Sequence, residues 1–142
     1  MISIEDKQSE IIEEFSMFED WMDKYQLIID KGNSLQPIAE AYKTDQNLIE
    51  GCQSKVWLHA DLSEEGVIEF RADSDALIVK GIVSLLVDLL NGRTPDEILH
   101  CDLHFIDAIG LKEHLSPTRS NGLLAMVKQM KLYALAYKNR QQ

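Results

Sequence analysis

The hydrophobic period of the chain changes from helical to alternating near its centre, and this change constrains the fold most. In residues 56–62 apolar side chains occupy every second position, and the same alternation returns in residues 67–72. The Ser-Glu-Glu-Gly sequence at residues 63–66 separates the two segments and suits a tight turn. The pattern predicts an antiparallel β-hairpin, which is marginal alone and therefore must pack on helices.

Two helices are predicted before the hairpin. Ser3 and the acids that follow it are typical of a capped first turn. In the second helix, apolar residues recur at steps of three and four, and Gly32 is expected to serve as its C-cap. We expect this second stripe to lie in the core: Phe18, Trp21, Met22, Tyr25, Ile28 and Ile29. Residues 31–47 predict a loop.

A nearly continuous apolar segment follows the hairpin. Residues 73–75, Asp-Ser-Asp, are expected to cap a helix over residues 76–90, and its hydrophobicity on all sides predicts a buried central helix. Thr94, Pro95 and Glu97 then have the spacing of a capping box with a proline in the first helical turn.

The remaining segments predict two further helices. A short helix near residues 103–109 is expected to end at Gly110, and Ser116-Pro117 is expected to open the last helix. The apolar positions of this last helix are Leu123, Met126, Val127, Met130, Tyr133, Leu135 and Tyr137.

The order helices, hairpin, helices predicts an α+β fold with a small antiparallel sheet packed on several helices. A chain of 142 residues can bury a core as one domain, so residues 1–142 are assigned to a single domain. The longest strongly apolar stretch, residues 81–90, is about half the length that a bilayer span needs. No signal peptide is visible in the acidic first 14 residues. We therefore expect a cytoplasmic protein with no membrane partner.

Charge is distributed unevenly along the chain. The formal net charge is −10, and residues 1–30 hold nine acids against two bases. A net-acidic surface repels phosphate backbones, so we expect no nucleic-acid partner. The acidic segment is a solvated helix face or a docking surface for a basic protein, and composition alone leaves both open.

Two cysteines, Cys52 and Cys101, are expected to be free thiols in a reducing compartment. Cys52 follows Gly51 where the loop gives way to the first strand, and Gly51 gives the backbone freedom to present a side chain at a turn. A thiolate is a strong nucleophile. The residues alone do not separate this interpretation from a small buried cysteine.

Arg119 is expected in the first turn of the last helix, where the helix dipole disfavours a cation. An arginine in that place suits an anion. If the fold brings it near Cys52, it would stabilise a thiolate or persulfide; the alternative is a surface arginine paired with an acid.

His100 and His104, four residues apart, suggest a metal site. The chain lacks the further spaced ligands that zinc needs, and its two cysteines are fewer than an iron–sulfur cluster usually requires. We therefore predict no bound metal and no cofactor.

Three segments resemble the SufE family of sulfur-acceptor proteins. They are residues 49–57 (IEGCQSKVW), 72–81 (ADSDALIVKG) and 115–123 (LSPTRSNGL), and residues 91–98 (NGRTPDEI) fit the same pattern. Their order and spacing match across nearly the whole chain. The resemblance implies an α+β fold of the SufE/NifU-like type, with the Cys52 loop lying over the helices.

The same resemblance implies a function. Cys52 would accept a sulfane sulfur from the persulfide of a cysteine desulfurase, whose own cofactor is pyridoxal phosphate, and pass it to an iron–sulfur cluster assembly scaffold. Such a protein is a sulfur-transfer accessory rather than an enzyme. Arg119 matches the third segment as a candidate anion stabiliser. Other matching residues would support the loop or dock the partner: Gly51, Gln53, Asp73, Ser74, Asp75 and Lys80. Cys101 lies outside these segments and is interpreted as structural.

Two competing hypotheses remain. A binding module could activate a desulfurase allosterically without carrying sulfur, and a metal-dependent enzyme could use His100 and His104. The oligomeric state is expected to be a monomer or a homodimer, since the apolar last helix could self-associate.

Overall fold

The computed structural model describes residues 2–141. Two helices lead to a two-stranded antiparallel sheet, and five helices follow it. The elements in chain order are α1 (Ile4–Ser16), α2 (Trp21–Asn33), β1 (Val56–Leu62), β2 (Ile68–Ser74), α3 (Leu77–Leu90), α4 (Pro95–His100), α5 (Phe105–Ala108), α6 (Leu111–His114) and α7 (Pro117–Gln141). Two short 3₁₀ turns, Glu40–Tyr42 and Asp45–Asn47, interrupt the loop between α2 and β1. The α+β prediction is confirmed.

The hairpin forms where the alternation predicted it. Its register pairs Val56 with Ser74 at one end and Leu62 with Ile68 at the other, and Gly66 takes a positive φ of 82° in the turn. Every second residue on each strand is buried, which gives the hairpin one apolar face, and α3 packs against β2.

Both outer edges of this small sheet are covered. The tyrosine hydroxyls of Tyr133 and Tyr137 on α7 donate hydrogen bonds to the carbonyls of Leu58 (3.3 Å) and Ala60 (2.6 Å) on β1. On the β2 side, the Ile68 amide donates to the Arg93 carbonyl at 2.8 Å. An exposed strand edge is a template for pairing with other chains, and these contacts remove it. They also hold α7 along β1.

The central helix α3 is almost wholly buried, as predicted, and it contacts α2 very closely at Gly81. A Cβ at this glycine would lie 2.1 Å from the carbonyl oxygen of Ile28, so no larger residue fits. A Cβ at Gly32 would likewise lie 2.8 Å from the Gly81 backbone nitrogen. One hydrophobic core links buried residues from α1 to α7.

Two predicted caps are wrong. Gly32 lies inside α2, which ends at Asn33 with Ser34 as its C-cap, because the glycine serves the close approach to α3. Asp73 and Ser74 belong to β2, and α3 begins at Leu77 after Ala76, which makes no side-chain capping bond. The Ser3 cap and the capping box of Thr94 with Glu97 are confirmed.

The remaining differences concern exposure and segmentation. Of the stripe assigned to the core on the second helix, only Ile28 is buried. Phe18, Trp21, Tyr25 and Ile29 are partly exposed and Met22 is 72% exposed, so most of that prediction is wrong. On α7, Leu135 is 45% exposed and does not belong to the core stripe assigned to that helix. The short helix near residues 103–109 is α5, and Gly110 with φ 76° separates it from α6, which the sequence did not predict. Within residues 2–141 no helix has both the length and the apolar character to cross a bilayer.

Candidate functional site

Cys52 lies at the tip of a short loop with a firm base. The Ile49 amide donates a hydrogen bond to the Val56 carbonyl at 2.9 Å, and both residues are buried, so residues 50–54 form the tip. Gly51 adopts φ 91°, in the left-handed region that side chains other than glycine rarely occupy. The glycine before Cys52 is therefore required by the turn itself.

The loop tip rests on the N-terminal part of α7. The Cys52 thiol donates to the carbonyl oxygen of Gly122 at 3.6 Å, a long sulfur contact between residues far apart in sequence. A Cβ at Gly122 would lie 3.4 Å from the Cys52 sulfur, and a Cβ at Gly51 would lie 3.4 Å from the Ala125 side chain. Two glycines thus bring the loop and the helix into direct contact.

The sulfur atom opens into a pocket of about 370 Å³ between the loop, α3 and α7. Its lining combines apolar and polar side chains: Cys52, Gln53, Ser54, Val79, Ile82, Ser116, Thr118, Arg119, Gly122 and Met126. Arg119 is exposed, and none of the described residues offers it a carboxylate within 4.0 Å. The fold therefore brings Arg119 to the same pocket as Cys52, and the alternative of an arginine paired with an acid is not what the structure shows.

The thiol of Cys52 is half-buried, and burial raises its pKa above the ordinary value. A thiol that donates to a helix carbonyl is also favoured in its protonated form. This direction is opposite to the lowered pKa that an adjacent arginine would give, so burial dominates the pKa of the Cys52 thiol in this arrangement. Stabilisation of an anion by Arg119 stays a prediction.

Residues at the end of β2 hold the other end of the loop. The Lys55 amide donates to the Asp75 carboxylate at 3.1 Å. The Lys55 carbonyl accepts from the Asp75 amide at 3.2 Å and from the Ser74 hydroxyl at 2.9 Å. Asp75 and Ser74 are thus hydrogen-bonded to the backbone of Lys55, three residues beyond Cys52.

Asp73 and Lys80 form an ion pair beside this loop, with the Lys80 ammonium 3.3 Å from the carboxylate. Lys43, which sequence reasoning missed, binds the same carboxylate at 3.1 Å. No sequence pattern marked Lys43, because a lysine in a loop has no periodicity to interpret. Gly51 and Gln53 are exposed at the tip.

The His100–His104 region has other partners. The His100 Nδ1 lies 2.8 Å from the Asp96 carbonyl oxygen, and the His104 Nε2 lies 3.1 Å from the Glu5 carboxylate. Over residues 2–141, no three His, Cys, Asp or Glu side chains are grouped so that they could hold a metal ion. The nearby Cys101 thiol donates to the Ile98 carbonyl oxygen at 3.1 Å.

Comparisons with known proteins agree with this arrangement. A solved structure, a hypothetical protein from Thermus thermophilus, superposes with a TM-score of 0.78 at 21% sequence identity, covering 98% of this chain and 99% of the other. At that identity the likeness concerns the fold. The family model described as SufE, Fe-S metabolism associated domain, matches residues 9–134, which include the Cys52 loop and Arg119. The chain therefore belongs to the SufE family, whose members are associated with iron–sulfur metabolism.

Proposed function

We propose that this protein accepts a sulfane sulfur atom on Cys52 from the persulfide of a cysteine desulfurase and passes it to an iron–sulfur cluster assembly scaffold. The observation that carries the proposal is the position of Cys52: its sulfur lies at a loop tip and faces a pocket of about 370 Å³. Membership of a family associated with iron–sulfur metabolism supports the same role.

The proposed transfer conserves atoms and electrons. The Cys52 thiolate attacks the outer sulfur of the donor persulfide, a new S–S bond forms on Cys52, and the donor cysteine leaves as a thiolate. One S–S bond breaks as another forms, so no external oxidant or reductant takes part. The proton of the Cys52 thiol goes to the released donor thiolate.

The resting site suits storage rather than attack. Because burial raises the pKa of the Cys52 thiol, little thiolate exists at neutral pH in the arrangement described. Half-burial of Cys52 against α7 limits the access of solvent oxidants and reductants to its sulfur, and we expect the loop tip to move when a donor docks. The exposed tip residues Gly51 and Gln53 and the exposed Asp75 are the proposed points of contact with the partner.

Arg119 is the proposed stabiliser of the loaded state. A persulfide is a stronger acid than a thiol, so its outer sulfur carries a negative charge under conditions in which Cys52 itself is neutral. Arg119 lines the same pocket, and no described residue offers its side chain a carboxylate within 4.0 Å. An exposed arginine near a half-buried anion gives a screened but favourable interaction.

A direct test is intact-mass spectrometry after incubation with a cysteine desulfurase and cysteine. The wild-type chain and a Cys101→Ser variant are expected to gain the mass of one sulfur atom, whereas Cys52→Ser gains none. Peptide mapping places the added atom on Cys52. Sulfur retained by a folded Cys52→Ser variant would disprove the proposal.

The half-buried, neutral Cys52 thiol also favours a second function, a binding module that stimulates the desulfurase without carrying sulfur. The two functions differ in one measurement. The binding module predicts that Cys52→Ser still stimulates cysteine turnover, and the sulfur carrier predicts that stimulation is lost.

A further inference from the structure

The loop that leads to Cys52 is attached to the outer face of the hairpin well before it reaches the tip. Trp57 and His59 point away from the core on β1. The Tyr42 ring stacks on the His59 ring with centroids 3.9 Å apart, and the Lys43 ammonium lies 5.4 Å from the centre of the Trp57 ring. The 3₁₀ turn Glu40–Tyr42 and Lys43 therefore lie on the strands that follow the tip.

Lys43 also forms an ion pair with Asp73 on β2, with the Lys43 ammonium 3.1 Å from the carboxylate. Their side chains are only 25% and 13% exposed, so solvent screens the pair less than an ordinary surface pair. The Asp73 carboxylate also accepts a hydrogen bond from the Ser74 amide at 2.8 Å and lies 3.3 Å from the Lys80 ammonium. The carboxylate is thus held in place from three sides.

The ionisation of the pair agrees with this geometry. Burial alone raises the pKa of the Asp73 carboxyl, but the bonds from Lys43 and the Ser74 amide and the charge of Lys80 outweigh it, so the pKa lies below the ordinary value. The hydrogen bond to Asp73 is the main cause that raises the pKa of Lys43. Both partners are charged at neutral pH.

A continuous set of contacts leads from Lys43 to the tip. Trp57, which lies under the Lys43 ammonium, forms a β-bridge with Leu48. The next residue, Ile49, is buried and closes the base of the tip through its hydrogen bond to Val56. Displacement of Lys43 from the hairpin would therefore loosen the segment that carries Cys52 against α7.

We propose that Lys43 is a positioning residue for Cys52: its ion pair with Asp73, over the Trp57 ring, holds the loop on the hairpin and thereby holds the thiol in its pocket. This inference rests on the proposed function of Cys52 as the sulfur acceptor. Its physical content, control of how often the thiol leaves the pocket, is measurable on the isolated protein. Loss of the ion pair raises the population of loop conformations in which Cys52 reaches solvent.

The test measures alkylation of Cys52 in the folded Cys101→Ser protein. Lys43→Met keeps the length and packing of the side chain but removes its charge, and we expect alkylation about fivefold faster, the scale of one ion pair. Lys43→Arg restores the charge and is expected to restore the slow rate. Moderate salt should accelerate the parent protein more than Lys43→Met, because the variant lacks the Lys43–Asp73 pair and keeps only the pair of Lys80 with Asp73.

A double-mutant cycle identifies the partner. Asp73→Asn should accelerate alkylation at least as much as Lys43→Met, and the double variant should be no faster than Asp73→Asn alone. Lys138→Met is the matched control, since it removes another lysine–aspartate pair, to Asp96 at 2.7 Å, on a different part of the surface. It should leave the Cys52 rate unchanged.

Three outcomes of these experiments would contradict the positioning role of Lys43. An unchanged rate in Lys43→Met, an additive double variant, or acceleration that Lys43→Arg does not reverse would overturn the positioning role. Denaturant unfolding of each variant separates local opening from a general loss of stability, which would raise the logarithm of the alkylation rate in proportion to the fall in the free energy of unfolding. Because no desulfurase is present, a failed sulfur-loading assay with responsive alkylation would disprove the proposed function and leave the positioning role standing.

Discussion

The two cysteines share every local property that is commonly used to judge a thiol, yet their surroundings differ. Both are half-buried, burial raises the pKa of both, and both thiols donate to the carbonyl of a helical residue. The acceptor for Cys101 is Ile98, in the helix that Cys101 itself ends. The acceptor for Cys52 is Gly122, on a helix at the other end of the chain.

This difference decides what each thiol can do. The hydrogen bond of the Cys101 thiol joins two residues of the same turn, so it persists when α4 moves as a unit. The Cys101 carbonyl also accepts a hydrogen bond from the Lys131 ammonium at 3.0 Å. The bond of Cys52 joins a loop tip to α7, so it breaks as soon as the tip moves, and a pocket lies beside the sulfur. Burial and acidity are therefore alike at the two thiols, and what separates them is that the Cys52 bond joins a loop to a distant helix whereas the Cys101 bond lies within one turn.

A larger side chain at the contact between the Cys52 loop and α7 should give the largest difference in alkylation rate between the two thiols. Gly122→Val places methyl groups beyond a Cβ that already lies 3.4 Å from the Cys52 sulfur, so the tip must leave the pocket. Overpacking of this kind costs about 1–3 kcal/mol, which corresponds to alkylation of Cys52 about fivefold faster or more. The rate at Cys101 should not change.

Asn121→Val supplies the matched control, because it makes the same β-branched side chain at an exposed position of the same helix. Its alkylation rates should equal those of the parent at both cysteines. Equal acceleration of Cys52 and Cys101 in Gly122→Val would mean that the whole fold has loosened, and the comparison between a local and a long-range bond would fail.

Sequence patterns predicted the strands and helix caps of this protein better than the way its helices pack. The alternation in residues 56–72 and the capping box at Thr94 depend on neighbours in sequence, and the structure confirms both. The Gly32–Gly81 contact and the exposure of Met22 depend on how helices pack, which no local pattern records. Tertiary packing overrides local propensity at such positions.

The candidate site divides in the same way. Gly51 was predicted to free the backbone beside Cys52, and its positive φ confirms the need. The raised pKa of Cys52 was not predicted, because it results from burial against α7 and not from residues near Cys52 in the chain. Lys43 was missed for a related reason: its partner Asp73 lies on a strand beyond the loop.

The pH dependence of alkylation should be alike at the two thiols. A raised pKa means that the folded state holds the thiol proton more tightly than the unfolded state, whose ordinary value is about 8.5. At pH 7 the thiolate fraction is therefore lower in the folded protein, and both cysteines should be alkylated severalfold more slowly than in urea.

The stabilising contribution of each protonated thiol is present below the unfolded pKa and is lost as the pH rises through the folded pKa. Single-cysteine variants, Cys52→Ser and Cys101→Ser, allow each profile to be recorded from pH 6 upwards. A Cys52 profile with a midpoint below that of the unfolded chain would break the comparison, because it would show a thiol already activated at rest.

The smallest expected effect tests the local character of the Cys101 site. The positive charge of Lys131 opposes the effect of burial on the pKa of the Cys101 thiol. Lys131→Met removes that charge, so the pKa of Cys101 should rise slightly and its alkylation at pH 8 should slow by about twofold, the scale of a weak, partly exposed charge interaction. The Cys52 profile should stay unchanged, and so should both profiles in Lys128→Met, which removes an exposed lysine from the same helix. A change at Cys52 in Lys131→Met would show that α7 transmits perturbations between the two thiols, and the long-range bond of Cys52 could then no longer be treated as independent of the Cys101 turn.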